Sequence, residues 1–302
     1  MKSIITLISI CLLTFIASSN SQIQIKTQII TIGNDSIKVI IYNSTNNGLV
    51  YFNMHDDENT CVTETLKILE NTGGKLIEFK HFGNLEDKGR YFSLKKQNKV
   101  YTFDPNRIFS DNDSARAANL IEFKSYYQAE NILKKLNKSQ IPTDNECYLY
   151  AKQELKQLAD TLIALIDTSS IKLIVALHNN HSFATYCDKN CDLKQGSYNL
   201  ATYLRPETEE NSSAEEIYIN PKRNLSGFFI VLKYNYFMQL QIQRCNVILQ
   251  SENSTDDSSF SVFALKQQLN YINIEAKREN KEEQQILLHT LSNMLMELKI
   301  EP

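Results

Sequence analysis

The chain has 302 residues, 42% of them hydrophobic and 22% charged, with a formal net charge of −3. That is enough apolar mass for a sizeable core of ordinary globular type. It leaves no basic field for nucleic acid, and short basic pieces such as Lys95-Lys96 and Lys134-Lys135 read as solvated faces.

Residues 1–21 read as a secretory signal. Lys2 supplies the positive start, Ile4 to Ile16 is apolar, and Ala17, Ser18, Ser19 and Ser21 offer cleavage positions. The apolar run is too short to cross a bilayer, and no other stretch approaches the ~20 apolar residues a span needs. The expectation is an exported protein, periplasmic or extracellular, with no membrane attachment after signal removal. Neither an internal repeat nor a Pro/Gly-rich linker divides residues 22–302, so one domain is expected there. Of the six cysteines, Cys11 falls within the signal. The odd number left cannot pair completely, although Cys187 and Cys191 are spaced for a small disulfide loop in an oxidising compartment.

Gln22 to Ile32 alternates polar and apolar residues and Ile37 to Tyr42 is strongly β-prone, which predicts an opening hairpin across Gly33-Asn34-Asp35. The apolar run Leu49 to Asn53 is the next strand and leads into His55-Asp56-Asp57-Glu58. Helical spacing of Val62, Leu66 and Leu69 predicts a helix over Thr60 to Asn71, stopped by Gly73-Gly74. Lys75 to Phe82, Arg90 to Lys95 and Lys99 to Phe103 read as strands, the last leading to Asp104-Pro105-Asn106-Arg107. Long amphipathic stretches cover Ala115 to Leu136 and Tyr148 to Ile166. His178 closes the apolar run Ile171 to Leu177, and a long polar loop follows from Asn179 to Asn199. Ile217 to Ile219, Phe228 to Lys233, Asn246 to Ser251 and Tyr271 to Ala276 are further strands, and Glu282 to Leu298 is a closing amphipathic helix. Strands alternating with helices predict an α/β protein, a three-layer α/β/α sandwich on a mixed, largely parallel central sheet.

An imidazole and a carboxylate at i and i+3, leaving the C-terminal end of a strand, can turn toward one point. A second imidazole at the end of a neighbouring strand would complete a three-ligand zinc site with an open position, the arrangement of catalytic zinc. His55, Glu58 and His178 are the candidate ligands, for one zinc per chain. Such ends are also where open α/β sheets place their ligand crevices.

The order His-x-x-Glu, Asp-Pro-Asn-Arg, a strand-terminal histidine and then a strand-borne glutamate before the last helix resembles the carboxypeptidase A-type zinc metallopeptidase family. The resemblance runs from about Leu49 to Leu298, and the spacing of His55 and His178 falls within the family's usual range. It implies a zinc carboxypeptidase-like fold with His55, Glu58 and His178 on the metal. It also implies that Asp104 orients His55 through its other ring nitrogen, and that Asn106 and Arg107 receive the substrate's terminal carboxylate, a planar guanidinium being suited to bidentate carboxylate binding. Without the resemblance, Asp104 and Arg107 read as a turn residue before proline and a surface charge.

Two glutamates compete as catalytic base. Glu275 lies inside the strand Tyr271 to Ala276, where the family carries its base; Glu252 opens a loop rich in Ser, Asn and Asp. Burying a carboxylate in an apolar strand is costly unless it is paired or used, which favours Glu275. Arg116 is the nearest spare arginine to share the substrate end with Arg107. The loop Glu252 to Ser259 lacks the tyrosine that the family uses on its substrate. The expected activity is hydrolysis of amide or peptide bonds in a small peptide, cell-wall peptides included. The alternatives are deacylation of an N-acyl amino acid in the manner of the aspartoacylase branch, and a non-catalytic secreted binding domain. A cysteine hydrolase built on Cys187 or Cys191 with His181 is a weaker reading, since nothing near those thiols would activate them.

Overall fold

The computed structural model describes residues 23–33, 35–44, 48–81, 92–96, 99–112, 116, 121–123, 146–166, 171–180, 184–187, 193–196, 213–278 and 280–298. The predicted signal segment lies outside them. So do Cys191 and His181, and with them the predicted disulfide and the cysteine-hydrolase alternative. In chain order the strands are β1 (Gln24–Ile32), β2 (Asp35–Asn43), β3 (Leu49–Asn53), β4 (Lys75–His81), β5 (Phe92–Lys96), β6 (Lys99–Phe103) and β7 (Ile121–Phe123), then β8 (Leu173–Asn180), β9 (Ala184–Cys187), β10 (Leu193–Gly196), β11 (Ala214–Tyr218), β12 (Phe228–Val231), β13 (Val247–Gln250) and β14 (Tyr271–Lys277). Five α-helices are described: α1 (Val62–Thr72), α2 (Glu146–Ile166), α3 (Tyr234–Ile242), α4 (Phe260–Lys266) and α5 (Lys281–Glu297).

Nine strands form one mixed sheet in the order β1-β2-β4-β3-β8-β14-β12-β13-β11. The pairs β4/β3, β3/β8, β8/β14 and β12/β13 are parallel. The pairs β1/β2, β2/β4, β14/β12 and β13/β11 are antiparallel. The sheet is therefore mixed as predicted but less parallel than expected, since β2, β12 and β13 run against the central strands. The interior strands are apolar almost throughout, as strands covered on both faces must be. Val50, Phe52, Ile174 and Ala176 point to a core that includes α2 and α4, whereas Tyr51, Val175 and Leu177 point to one that includes α1, α3 and α5. Helices thus lie against both faces, and each fully buried Phe or Leu contributes about 1.5–3 kcal/mol.

Local signals set the helix ends. Gly73, at φ 75°, sends its N–H to the Leu69 carbonyl at 2.9 Å and stops α1. Ser259 caps α4 by accepting from the Val262 N–H, and Asn280 caps α5 by accepting from the Glu283 N–H at 3.2 Å. Phe260 packs edge-on against Phe109 and Phe52, with ring centroids 4.9 and 5.6 Å apart, so α4 is seated between the sheet and the segment after β6.

Three expectations change. Within the stretch Ala115 to Leu136, residues Ile121–Phe123 form a strand against β6 rather than helix. The loop from Asn179 to Asn199 carries the β9/β10 hairpin, and β8 itself runs on to Asn180, past His178. The helices α3 and α4 were not expected. Among the described residues, no helix is long and apolar enough to cross a membrane.

Candidate metal centre

β3 and β8 are parallel neighbours, and β8 is followed across the sheet by β14. This order delivers His55 just after β3, His178 near the end of β8 and Glu275 near the end of β14. The turn that carries Glu58 is closed by a bond from its N–H to the His55 carbonyl at 3.0 Å. Asn53, fully buried, latches both ends of that turn. Its Oδ1 accepts from the His55 N–H at 3.2 Å, and its Nδ2 donates to the Glu58 carbonyl at 3.1 Å. Asp56 and Asp57, between the two candidate ligands, are fastened outward to Lys80 at 3.0 Å and Arg278 at 3.5 Å. Burial opposes the charge on Lys80, but Glu78 and Asp56 outweigh it and raise its pKa.

Glu58 is the centre of the cluster. Its Oε2 lies 2.9 Å from His55 Nδ1 and 2.8 Å from His178 Nδ1, and accepts from the Asn179 N–H at 3.1 Å. One ligand atom from each of His55, Glu58 and His178 falls within 4.8 Å of the others, and all three residues are buried. The other nitrogen of His55 meets Asp104 Oδ1 at 2.8 Å. An Nε2–H donated to that carboxylate leaves the Nδ1 lone pair facing Glu58 and fixes the ring, the usual outer support of a ligating histidine. His178 Nε2 is buried with no hydrogen-bond partner among the described residues; such an atom costs about 1–3 kcal/mol.

The donor set fits a transition-metal ion. Two imidazoles and one carboxylate within this span could hold a metal ion. Glu58, Asp104 and Glu275 also bring three carboxylates to a poorly exposed region, and burying anions requires compensating charge. Their field is felt nearby: burial pushes the Cys61 thiol up, and Glu58 and Glu275 push it further. Cys61 and Cys245 are both free, buried thiols.

Glu275 is 4% exposed and sits directly across from His178 in the β14/β8 register, so the two side chains emerge on the same face. Asn273, two residues earlier on that face, donates to Glu275 Oε1 at 3.2 Å. Glu252 is exposed. Of the two candidate bases, only Glu275 is brought beside the cluster.

The Asp-Pro-Asn-Arg segment follows β6 as a 3₁₀ turn. Asp104 caps it through a bond from the Asn106 N–H to Oδ1 at 2.8 Å, so one oxygen serves both the cap and His55. The Asn106 side chain accepts from the Phe260 N–H at 3.1 Å and thereby ties the turn to α4. Arg107 pairs with Asp257, and Arg116 is buried with its guanidinium on the Ser110 carbonyl. Sequence reasoning missed two of these groups. Asn53 had a signal, as a polar residue ending an apolar strand two positions before His55. Asp257 had none, being one carboxylate in a Ser/Asn/Asp-rich loop.

Comparison with protein-family models, with curated proteins and with solved structures returns no match.

Proposed function

We propose that the protein is a zinc-dependent hydrolase of amide or peptide bonds, a divergent relative of the carboxypeptidase A-type metallopeptidases that acts outside the cytoplasm on a small peptide or N-acyl amino acid. The observation that carries this reading is the convergence of His55 Nδ1 and His178 Nδ1 on one Glu58 oxygen, with Asp104 on the far nitrogen of His55. A decayed binding domain has no reason to keep a buried ligand set together with the carboxylate that orients it. The mixed sheet, with helices against both faces, supports the carboxypeptidase-like fold that the motif order implies.

Zinc held by His55, Glu58 and His178 would supply Lewis acidity toward the scissile carbonyl and the attacking water. The chain's own part falls to a few groups. Glu275 takes a proton from the water at a carboxylate oxygen and returns it to the leaving amine. Asn273 holds the other oxygen, which keeps the carboxylate aimed. Asp104 fixes the His55 ring, and Arg107, a third exposed, orients the substrate end.

The test is metal content and turnover measured on one preparation. Elemental analysis should give one zinc per chain, lost on chelation together with hydrolysis of a panel of peptides, N-acyl amino acids and cell-wall peptides. Removal of zinc should also lower the melting temperature, because a ligand that binds only the folded chain stabilises it. Full zinc retention by the His178→Ala protein would overturn the site.

A further inference from the structure

Residues 251–259 run from the end of β13 to the cap of α4 and are fastened to the segment after Asp104. Ser258 adopts φ 62°, and its carbonyl accepts from the Phe109 N–H at 2.9 Å. Asp256 accepts from the Ser258 N–H at 3.0 Å through Oδ1, while Oδ2 takes the Ser110 hydroxyl at 2.5 Å and Lys266 Nζ at 2.7 Å. Asp257 accepts from the Ser259 N–H at 3.0 Å through Oδ1 and presents Oδ2 to Arg107. Its carboxylate is thus held by backbone at the start of α4, not by a freely rotating side chain.

This geometry bears on which substrate end Arg107 can take. A planar guanidinium on a rigid turn is suited to the terminal carboxylate of a peptide. Here a carboxylate of the chain already occupies it, at the high effective concentration of an intramolecular partner. An incoming carboxylate would have to displace Asp257 and would meet its charge and that of Asp256. A neutral carbonyl meets no such repulsion.

We infer that Asp257 is a specificity determinant: it occupies Arg107 as a resident carboxylate and directs the site to substrates whose end at Arg107 carries no free carboxylate, such as a carboxamide or an internal peptide unit. The inference deepens the hydrolase reading and rests on it for the meaning of the selected substrate. The ligand preference itself is read by binding alone.

The experiment compares an N-acetylated tripeptide in its free-acid and carboxamide forms, titrated calorimetrically into the full chain. Asp257→Asn keeps an oxygen to accept from the Ser259 N–H but removes the charge, and its thermal melt checks that the fold is retained. The wild type is expected to bind the acid no better than the amide. Asp257→Asn is expected to shift the acid-to-amide ratio toward the acid by about tenfold, the scale of a charge-assisted contact. Adding Arg107→Gln to it should cancel the shift. A wild type that already prefers the acid tenfold overturns the inference. So does an Asp257→Asn protein whose ratio does not move, whether both peptides bind or neither does. Failure of the hydrolase reading shows separately, as a chain without zinc or turnover in which Asp257→Asn still moves the ratio.

Discussion

Replacing Asp104 separates the support of the metal ligand from the stability of the turn that carries it. One oxygen, Oδ1, takes both the His55 Nε2–H and the Asn106 N–H, each at 2.8 Å. Asp104→Ala removes both bonds and leaves the ring nitrogen of a fully buried histidine without that acceptor. The lost cap costs about 1 kcal/mol of fold stability. The lost orientation of His55 costs about 10- to 100-fold in zinc affinity, equivalent to ~1.4–2.7 kcal/mol. Asp104→Asn keeps an oxygen for both bonds and loses only the charge, so it should retain the cap and fall at the tenfold end of that range. Zinc competition against a chromophoric chelator reads the affinities, and urea unfolding in excess chelator reads the stability lost with the cap and the His55 bond together, apart from the metal. Equal zinc affinity in all three proteins would refute the assignment of Asp104 to the metal centre.

Glu275→Gln should lose about 10²- to 10⁴-fold in kcat with zinc still bound, and Glu252→Gln should retain most activity; the reverse order of kcat values would move the base to the loop. Gly48, at φ 78°, precedes β3, and its carbonyl accepts from the Lys172 and Leu173 N–H groups at 2.8 and 3.1 Å, so it pins the starts of the two histidine-bearing strands. A Cβ there would lie 2.8 Å from Lys172 Cγ and 3.0 Å from Lys172 N, and Gly48→Ala should cost about 1–3 kcal/mol in denaturant unfolding. Asp256 is partly buried, which opposes ionisation, yet Lys266, the Ser110 hydroxyl and the Ser258 N–H together hold its carboxyl below the usual range. A depressed folded pKa gives stability that is complete above the unfolded value of about 4 and lost as pH falls through the folded value. Asp256→Asn should therefore be less stable than wild type at pH 7, with the gap closing in acid, as followed by thermal melts across pH.

The parts of the fold that were legible are those where a single physical rule dominates. Leu49–Asn53 falls where its apolar run places it, because a strand buried on both faces tolerates little else. Gly73 ends α1 at a positive φ that few other residues adopt. The helix Tyr234–Ile242 was missed because its aromatic and polar composition has weak helix propensity; it forms by burying Tyr236, Phe237 and Leu240 on one side. The helix Phe260–Lys266 is too short for periodicity to reveal, and it depends on the cap at Ser259 and the ring contacts of Phe260. The strand Ile121–Phe123 owes its state to pairing with β6, which no local pattern encodes.

The metal-centre candidates divide along the same line. His55 and Glu58 are three residues apart, so their approach is set largely by one turn, and His178 meets them because β3 and β8 pair in parallel. Arg107 and Asp257 are 150 residues apart, and their pairing depends on the seating of α4 beneath the segment after β6. A motif can single out Arg107 beside Asp104, because both lie in one short turn. It cannot predict that the chain supplies its own carboxylate to that arginine, because the contact is made by a loop whose sequence only requires turns. The turn from His55 to Glu58 is therefore the part of the cluster that local sequence encodes, and the approach of His178 and the pairing of Arg107 with Asp257 are parts that the tertiary fold decides.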